Sequence, residues 1–495
     1  MFPRTRRTVS FLIQLGLILL GTLHVAITVS YYLANRFPAQ DVGHIDYWFY
    51  NTYHGRFFWS IVCQCPHFAK HFTPTLVLLV PLHALFHHVL FVPILEDLAV
   101  LSGAWAVAWM VDGLLRRGRA PALAARWAQG GEGLSVLGLA AGWLYAANPF
   151  VGSILLSHHF ESFAVALSLW ALAALANGKY AAFWSLLILT LGVKEDMALY
   201  WGVFGAWRLL LGWAGRTGRG RFVGVVVVAL CVLWAGLAVA TIRAVAHASG
   251  QPLAEYAPRY DWMGRTWMET AIRLIRVPRL LIVPPLNAAL LLLPGVLLLP
   301  LLAPASLLLL LPAAYVMGFS RSSSQHYLYY YYSYPFLPFL FMGVSVGLVR
   351  LVRWTRRLRF RSALRNALVA VLLLAGGFLL SRPTPMEGQR RWMARPTLRH
   401  TWIRMTLRQV LPAKASVAAQ FDLLCQIPYR RDIYLLAEGN LDRAEYWVFD
   451  LRGYPGDLST ARLGAMVERA ERLVAERGAD VVVDRWGLYV VRRLR

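Results

Sequence analysis

VGVVVVALCVLWAGLAVATIRAVA, residues 223–246, decides the fold class, with Arg243 as its single charge. At about 1.5 Å per helical residue the stretch outruns the roughly 30 Å of a bilayer's hydrocarbon. A second run, Leu280 to Leu311, is equally apolar but broken by Pro284, Pro285, Pro294, Pro300 and Pro304. The 495-residue chain is 58% hydrophobic and 15% charged, whereas soluble domains are about half apolar and a quarter charged. It reads as a polytopic membrane protein. That excludes an ordinary soluble enzyme and a disordered chain, and four cysteines are too few to staple so long a chain as a disulfide scaffold.

Fifty Lys and Arg against twenty-five Asp and Glu give a net charge of +25, yet the position of the charge matters more than its sum. The arginines fall in short clusters between apolar segments, as cytoplasmic loops require, and no basic stripe interleaved with aromatics speaks for nucleic acid. Arg4, Arg6 and Arg7 precede the first segment, which is read as a retained helix with a cytoplasmic N-terminus. The clusters Arg116, Arg117, Arg119, Arg126, then Arg216, Arg219, Arg221, then Arg350, Arg353, Arg356, Arg357, Arg359, Arg361, Arg365 all fall on that side for spans near 9–33, 90–113, 134–156, 162–176, 180–193, 197–213, 222–246, 280–297, 300–318, 334–349 and 364–381. About eleven transmembrane helices make residues 1–382 a membrane domain with a first external loop at 34–89. Residues 383–495 turn polar and alternate apolar strands (415–419, 433–436, 446–451, 480–484, 488–491) with a helical run at 458–477. An odd span count places this small α/β domain outside the cytoplasm.

The informative residues are ionisable groups near the outer face. The first loop carries Asp41, His44, Asp46, Asn51, Gly55, Arg56, His67, Lys70 and His71. His158, His159 and Glu161 fill the turn between the third and fourth spans, and Lys194, Glu195 and Asp196 the turn between the fifth and sixth. Arg321 and His326 precede a tyrosine run from Tyr327 to Tyr334. Such a convergence favours a shared polar cavity, since unpaired charge at a membrane boundary is costly. The plainer readings are solvated loop carboxylates, a structural ion pair at Lys194, helix caps at His158 and His159, and an interfacial aromatic belt of tyrosines, while Glu96 and Asp97 read either as a fifth member of the cluster or, with slightly more weight, as a solvated helix start. His159, Glu161, Glu195 and Asp196 are also candidate ligands for a divalent metal ion, although no tight zinc spacing occurs. Cys63 and Cys65 lie too close together to read as a pair, which leaves a Cys63–Cys425 or Cys65–Cys425 bridge open. No phosphate-binding glycine loop, nucleophile elbow or HExxH is present.

The order of these motifs resembles a large family of prokaryotic multispanning proteins of unknown function allied to the GT-C glycosyltransferases. Its carriers are Asp41-Val-Gly-His-Ile-Asp46 with Asn51 and Gly55, His71-Phe-Thr-Pro74, Asn148-Pro149 with His159-Phe-Glu161, and Lys194-Glu-Asp196. In the tail they are Leu411-Pro-Ala-Lys, Arg431-Asp-Ile-Tyr434 and Glu445-Tyr-Trp-Val-Phe-Asp450. The sequence departs from that pattern at Tyr50, where the family has Trp, and at Tyr47, where it has Gln.

The resemblance implies an integral protein of the prokaryotic cytoplasmic membrane that moves a sugar from a polyprenyl-phosphate carrier to a glycan, lipid or protein acceptor on the outer side. It implies that Asp41 or Asp46 is the catalytic base. The residues agree with such an inverting transfer: His158, His159, Lys194, Arg321 and His326 would meet the phosphate, Glu161, Glu195 and Asp196 would orient those cations or bind sugar hydroxyls, and His44, Asn51 and His71 would shape the loop or hold the acceptor. Trp48, Tyr329 and Tyr330 are candidates to stack on a sugar ring. Two other classes remain open, a secondary transporter with a His and carboxylate relay and a non-catalytic membrane receptor or scaffold.

Overall fold

A computed structural model describes residues 3–37, 39–117, 134–214, 218–252, 257–264, 266–355, 362–380, 394–420, 422–453 and 460–494. The chain is mostly helical. Helix α1 (Pro3–Leu33) leads into the first loop, which holds α2 (His44–Tyr53), strands β1 (Trp59–Ser60) and β2 (Cys65–Pro66), and the short helices α3 (Pro74–Val77) and α4 (Val80–Phe86). The bundle continues with α5 (Phe91–Arg117), α6 (Val136–Ala146), α7 (Pro149–Ser157), α8 (Ser162–Ala176), α9 (Tyr180–Leu191), α10 (Met197–Ala214) and α11 (Gly218–Ala248). Beyond them come α12 (Trp267–Arg276), α13 (Arg279–Leu292), α14 (Leu311–Phe319), α15 (Leu337–Thr355) and α16 (Ser362–Leu380).

Each of the eleven apolar stretches contains helix, but turns and 3-10 segments interrupt several of them and they differ in reach. Four helices are long and apolar enough to cross a membrane: Arg7–Leu33, Phe91–Arg117, Gly218–Ala248 and Leu337–Thr355. Two bent pairs bring the count to six if each is one span, α6 with α7 at 55° and Met268–Arg276 with α13 at 82°. The others, among them α8, α9 and α10, are shorter apolar helices. The first bend has a local cause. Pro149 cannot supply the N–H that would continue α6, and Asn148 caps the new helix by accepting from the Phe150 N–H at 3.0 Å.

The core of the bundle is α5, packed against α1, α6, α8 and α15. Gly138 and Gly142, one turn apart on α6, allow the backbones of α5 and α6 to touch, because a Cβ at Gly142 would collide with the Ala104 carbonyl.

The last part of the chain forms a five-stranded sheet in the order β4-β3-β5-β7-β6. Its strands are β3 (Val417–Ala419), β4 (Ile433–Leu435), β5 (Tyr446–Asp450), β6 (Ala479–Arg485) and β7 (Leu488–Arg493). The first three pair in parallel and the last two antiparallel. Strand alternation divides the side chains between two layers. Trp447, Phe449 and Val491 pack on helix α18 (Thr460–Ala475) with Met466 and Ala470. Val417, Tyr446, Val448 and Val490 pack on helix α17 (Leu398–Val410) with Ile403 and Leu407, and Tyr47 and Ile61 of the first loop join that second layer. The boundary expected after Arg382 lies outside the described residues, as do Arg119, Arg126, Arg216, Arg356, Arg357, Arg359 and Arg361.

Two expectations are corrected. The disulfide joins Cys63 to Cys65, in the turn of the β1–β2 hairpin, where the reversal of the chain brings the two cysteines side by side. Cys425 is a free buried thiol, packed with Tyr32, Phe37, Val42 and Val89. Nor are Glu96 and Asp97 a solvated helix start. Both are buried, because α1 and the turn after α7 cover the second turn of α5.

Candidate functional site

The polar groups gather at the end of the bundle where α1 finishes and α5 begins. The turn at His158 to Glu161 follows α7, and His158 ends that helix in the left-handed region at φ 49°. The turn at Lys194 to Asp196 links α9 to α10. The first loop is fastened beside it, since Thr75 donates its N–H to the Gly192 carbonyl at 2.9 Å and its hydroxyl to the Leu189 carbonyl at 2.7 Å.

The result is a basin of paired groups. Lys194 Nζ lies 2.6 Å from Glu161 and 3.9 Å from Asp196, with the Tyr334 ring 5.3 Å beneath it. His159 abuts the Glu161 carboxylate through Nδ1 and stands 3.9 Å from Asp41 through Nε2. Its ring stacks on Tyr331 at 3.9 Å. His71 Nδ1 is 2.8 Å from Glu195, whose other oxygen accepts the Phe72 N–H at 3.0 Å. Tyr334 donates its hydroxyl to Asp196. On the loop side, Trp48 stacks on His67 at 3.7 Å and meets His44 edge-on at 4.7 Å, while His44 Nε2 reaches Ser60 at 2.6 Å. Asn51 holds the loop's shape by donating to the Trp59 carbonyl at 3.0 Å.

Charge in the basin follows from burial and neighbours. Burial, helped by the His71, His44, His159 and Lys194 charges, pushes His67 well below the usual imidazole range. Burial does the same to His159, with Lys194, His71 and His44 acting in the same sense. Burial opposes ionisation of Glu195, but its ion pair and hydrogen bond with His71, together with Lys194, prevail and hold its carboxyl down at about 2. Asp196 goes the other way, raised by burial against the pull of Lys194. The basin thus combines the neutral imidazoles of His67 and His159 with one lysine fixed by a carboxylate, so it can donate hydrogen bonds as well as accept them.

The two loop aspartates have separated. Asp41 keeps 32% of its side chain exposed. Asp46 keeps 3%, because His83 Nε2 lies 2.7 Å from it and the Tyr429 hydroxyl donates to the same oxygen at 2.9 Å. Arg321 is drawn to Asp261 at 3.1 Å on an exposed surface, and His326 is exposed with Nδ1 3.2 Å from the Ser322 carbonyl, so neither joins the basin. Trp48 is buried under His67 and offers no open face to a sugar.

The metal candidates fall into different pairs: His159 with Glu161, Glu195 with His71, and Asp196 with Tyr334. Among the described residues no group of three or more His, Cys, Asp or Glu side chains is arranged to hold a metal ion. The donor set does not fit a divalent cation.

Residues 37–458 match the predicted membrane protein family DUF2079, whose function is unknown. That match covers most of the chain. The chain belongs to this family. No curated protein matches the sequence.

Proposed function

We propose that this DUF2079 protein is a GT-C-like membrane glycosyltransferase that takes a sugar from a polyprenyl-phosphate carrier and passes it, with inversion, to an acceptor hydroxyl. In this reading the apolar stretches make about eleven spans in a prokaryotic cytoplasmic membrane. The N-terminus is cytoplasmic, and the basin and the sheet domain face outward. What carries the reading is Asp41, the more exposed of the two loop aspartates, 3.9 Å from His159 at the mouth of the basin. A general base must be accessible to its substrate, and of the two loop aspartates Asp41 is the one that keeps its side chain open.

Asp41 takes the acceptor's proton as the acceptor oxygen attacks the anomeric carbon. The leaving phosphate lies against Lys194, with His71 as a hydrogen-bond donor. Glu161 and Glu195 fix Lys194 and His71 in place. Asp46 acts at one remove, as a positioning residue that seats α2 on the sheet domain.

The test is single-turnover transfer by the purified chain in lipid from polyprenyl-phosphate sugars, with the products read by mass spectrometry. Asp41→Asn is expected to lose more than about a hundredfold in rate while remaining folded. Absence of transfer from every such donor, or an Asp41→Asn rate equal to the parent's, overturns the reading.

A further inference from the structure

The second turn of α5 carries two adjacent acids for which the transfer step above has no use. Glu96 and Asp97 are both buried, inside a helix long and apolar enough to cross a membrane. Thr28 of α1 donates to Asp97 at 2.6 Å, and the same hydroxyl is 3.4 Å from His158 Nε2. His158 Nδ1 is 4.0 Å from one oxygen of each acid. Among the described residues, neither oxygen of Glu96 nor Oδ1 of Asp97 has a hydrogen-bond partner.

Two ionised carboxylates in such surroundings carry a heavy desolvation penalty unless they are compensated, and one imidazolium can compensate only one of them. Among the described residues no metal-holding group is present. The ligand that resolves the imbalance without needing further space is a proton, shared between the acids and the imidazole.

The neighbourhood connects this trio to the basin. Asp41 is 3.9 Å from His159 Nε2, and His159 directly follows His158 of the trio. His158 and His159 are consecutive, and the left-handed backbone at His158 sends their rings to different partners, His158 to Glu96 and Asp97 and His159 to Asp41 and Glu161. A side chain held in that conformation is a cost that functional sites tolerate. The titratable groups facing Glu96 are Asp97 on its own helix, Asp41 from the loop and His158 from the turn. Around them, α1 brings Thr28, α6 brings Tyr145, whose hydroxyl goes to the Val100 carbonyl, and Glu161 at the start of α8 is held by Lys194.

We infer that Glu96, Asp97 and His158 form a buried proton-holding site that relays the acceptor's proton away from Asp41. The relay rests on the glycosyl-transfer reading; the proton-holding site does not. In the transfer, the acceptor oxygen bonds to the anomeric carbon while the carbon–oxygen bond to phosphate breaks, and its electron pair stays on the phosphate oxygen. The hydroxyl proton goes first to Asp41 and then into the trio, where Glu96 hands its resting proton to Asp97 or His158 as it takes the new one, which restores Asp41 as a carboxylate. The proton returns to water before the next turnover, and nothing is oxidised or reduced.

The experiment uses the full chain in phosphatidylethanolamine and phosphatidylglycerol vesicles. Infrared difference spectra between acid and alkaline buffer are expected to contain a protonated-carboxyl band that persists at neutral pH, shifts in heavy water and disappears in Glu96→Gln. Single-turnover transfer by Glu96→Gln should fall about tenfold, with a changed pH profile, an unchanged KM and rescue by Glu96→Asp. Should Glu96→Gln fail to assemble, Thr28→Val removes the donor to Asp97 and should move the same band. A parent without the band, or a band unmoved in Glu96→Gln or in Thr28→Val, overturns the proton-holding site. A pH profile identical in Glu96→Gln and parent overturns the relay. A band lost in Glu96→Gln, in a parent that transfers no sugar, keeps the proton-holding site and overturns the relay together with the glycosyl-transfer reading.

Discussion

Asp41 and Asp46 stand five positions apart in one loop, and the fold treats them in opposite ways. Asp41 stays reachable beside His159. Asp46 is sealed between His83 of α4 and Tyr429 of the sheet domain. The difference arises from what packs on each. Tyr47 and Ile61 enter the core layer of the sheet domain, and Tyr50 stacks on Tyr429 at 4.8 Å, so the face of α2 that bears Asp46 is sealed, whereas in the segment before it Val42 is buried against Cys425 and Asp41 beside it stays partly exposed. Closeness along a chain therefore says little about shared chemistry when a distant segment selects which face it covers.

The comparison breaks most visibly through a double dissociation. Asp46→Ala leaves the buried His83 ring and Tyr429 hydroxyl without their acceptor, and it should cost about 3 kcal/mol of stability, read as a lower denaturation midpoint in detergent. Asp41→Asn should change that midpoint by less than about 0.5 kcal/mol while abolishing transfer. Equal losses of stability in both variants would show that the two carboxylates are not segregated as described. A finer cut is Tyr429→Phe, which keeps the stacking on Tyr50 and removes one hydrogen bond to a charged acceptor. It should cost about 2 kcal/mol, and a neutral result would assign the seal to His83 alone.

Much of the basin was legible because polar groups in an apolar chain are costly and so rarely idle. Asp41, His71, His159, Glu161, Lys194, Glu195 and Asp196 come from three stretches of sequence, and the structure gathers all of them. The strands and the C-terminal end of helix α18 were readable from alternation and amphipathic period, within a residue or two, whereas helix α17 was not read. What stayed hidden depends on contacts across long stretches of chain. Nothing near Asp46 announces Tyr429, 383 residues away. Tyr331 and Tyr334 belong to a run that reads as an interfacial belt, yet one stacks on His159 and the other holds Asp196. Glu96 and Asp97 look like an ordinary helix start until α1 covers them. Arg321 and His326 share the local polarity of the basin residues, but the chain carries them to an exposed edge. The number of spans stayed open as well, because prolines break several apolar stretches into helices too short to count by length.

Glu195 and Asp196 offer the smallest and most discriminating version of the same contrast, since adjacent carboxyls are shifted in opposite directions. Glu195 is held down from 4.5 to about 2 despite burial, chiefly by His71. Its contribution to stability is present above about pH 4.5 and is lost as pH falls toward about 2. Asp196 is raised above 3.8 by burial, with Lys194 pulling against it. Its contribution is present below that value and is lost as pH rises through its folded pKa. Replacing each by its amide should therefore tilt the pH dependence in opposite senses. Glu195→Gln should flatten the acid limb by removing a group that must be forcibly protonated. Asp196→Asn should improve stability at neutral pH relative to acid, with its amide oxygen still accepting from Tyr334. Both effects should be smaller than that of Asp46→Ala, because about a quarter of each side chain meets solvent, 26% for Glu195 and 27% for Asp196, and solvent screens the interaction. Denaturation midpoints followed from acid to neutral pH separate the cases, and parallel shifts in the two amides would mean that the His71 pair does not control Glu195.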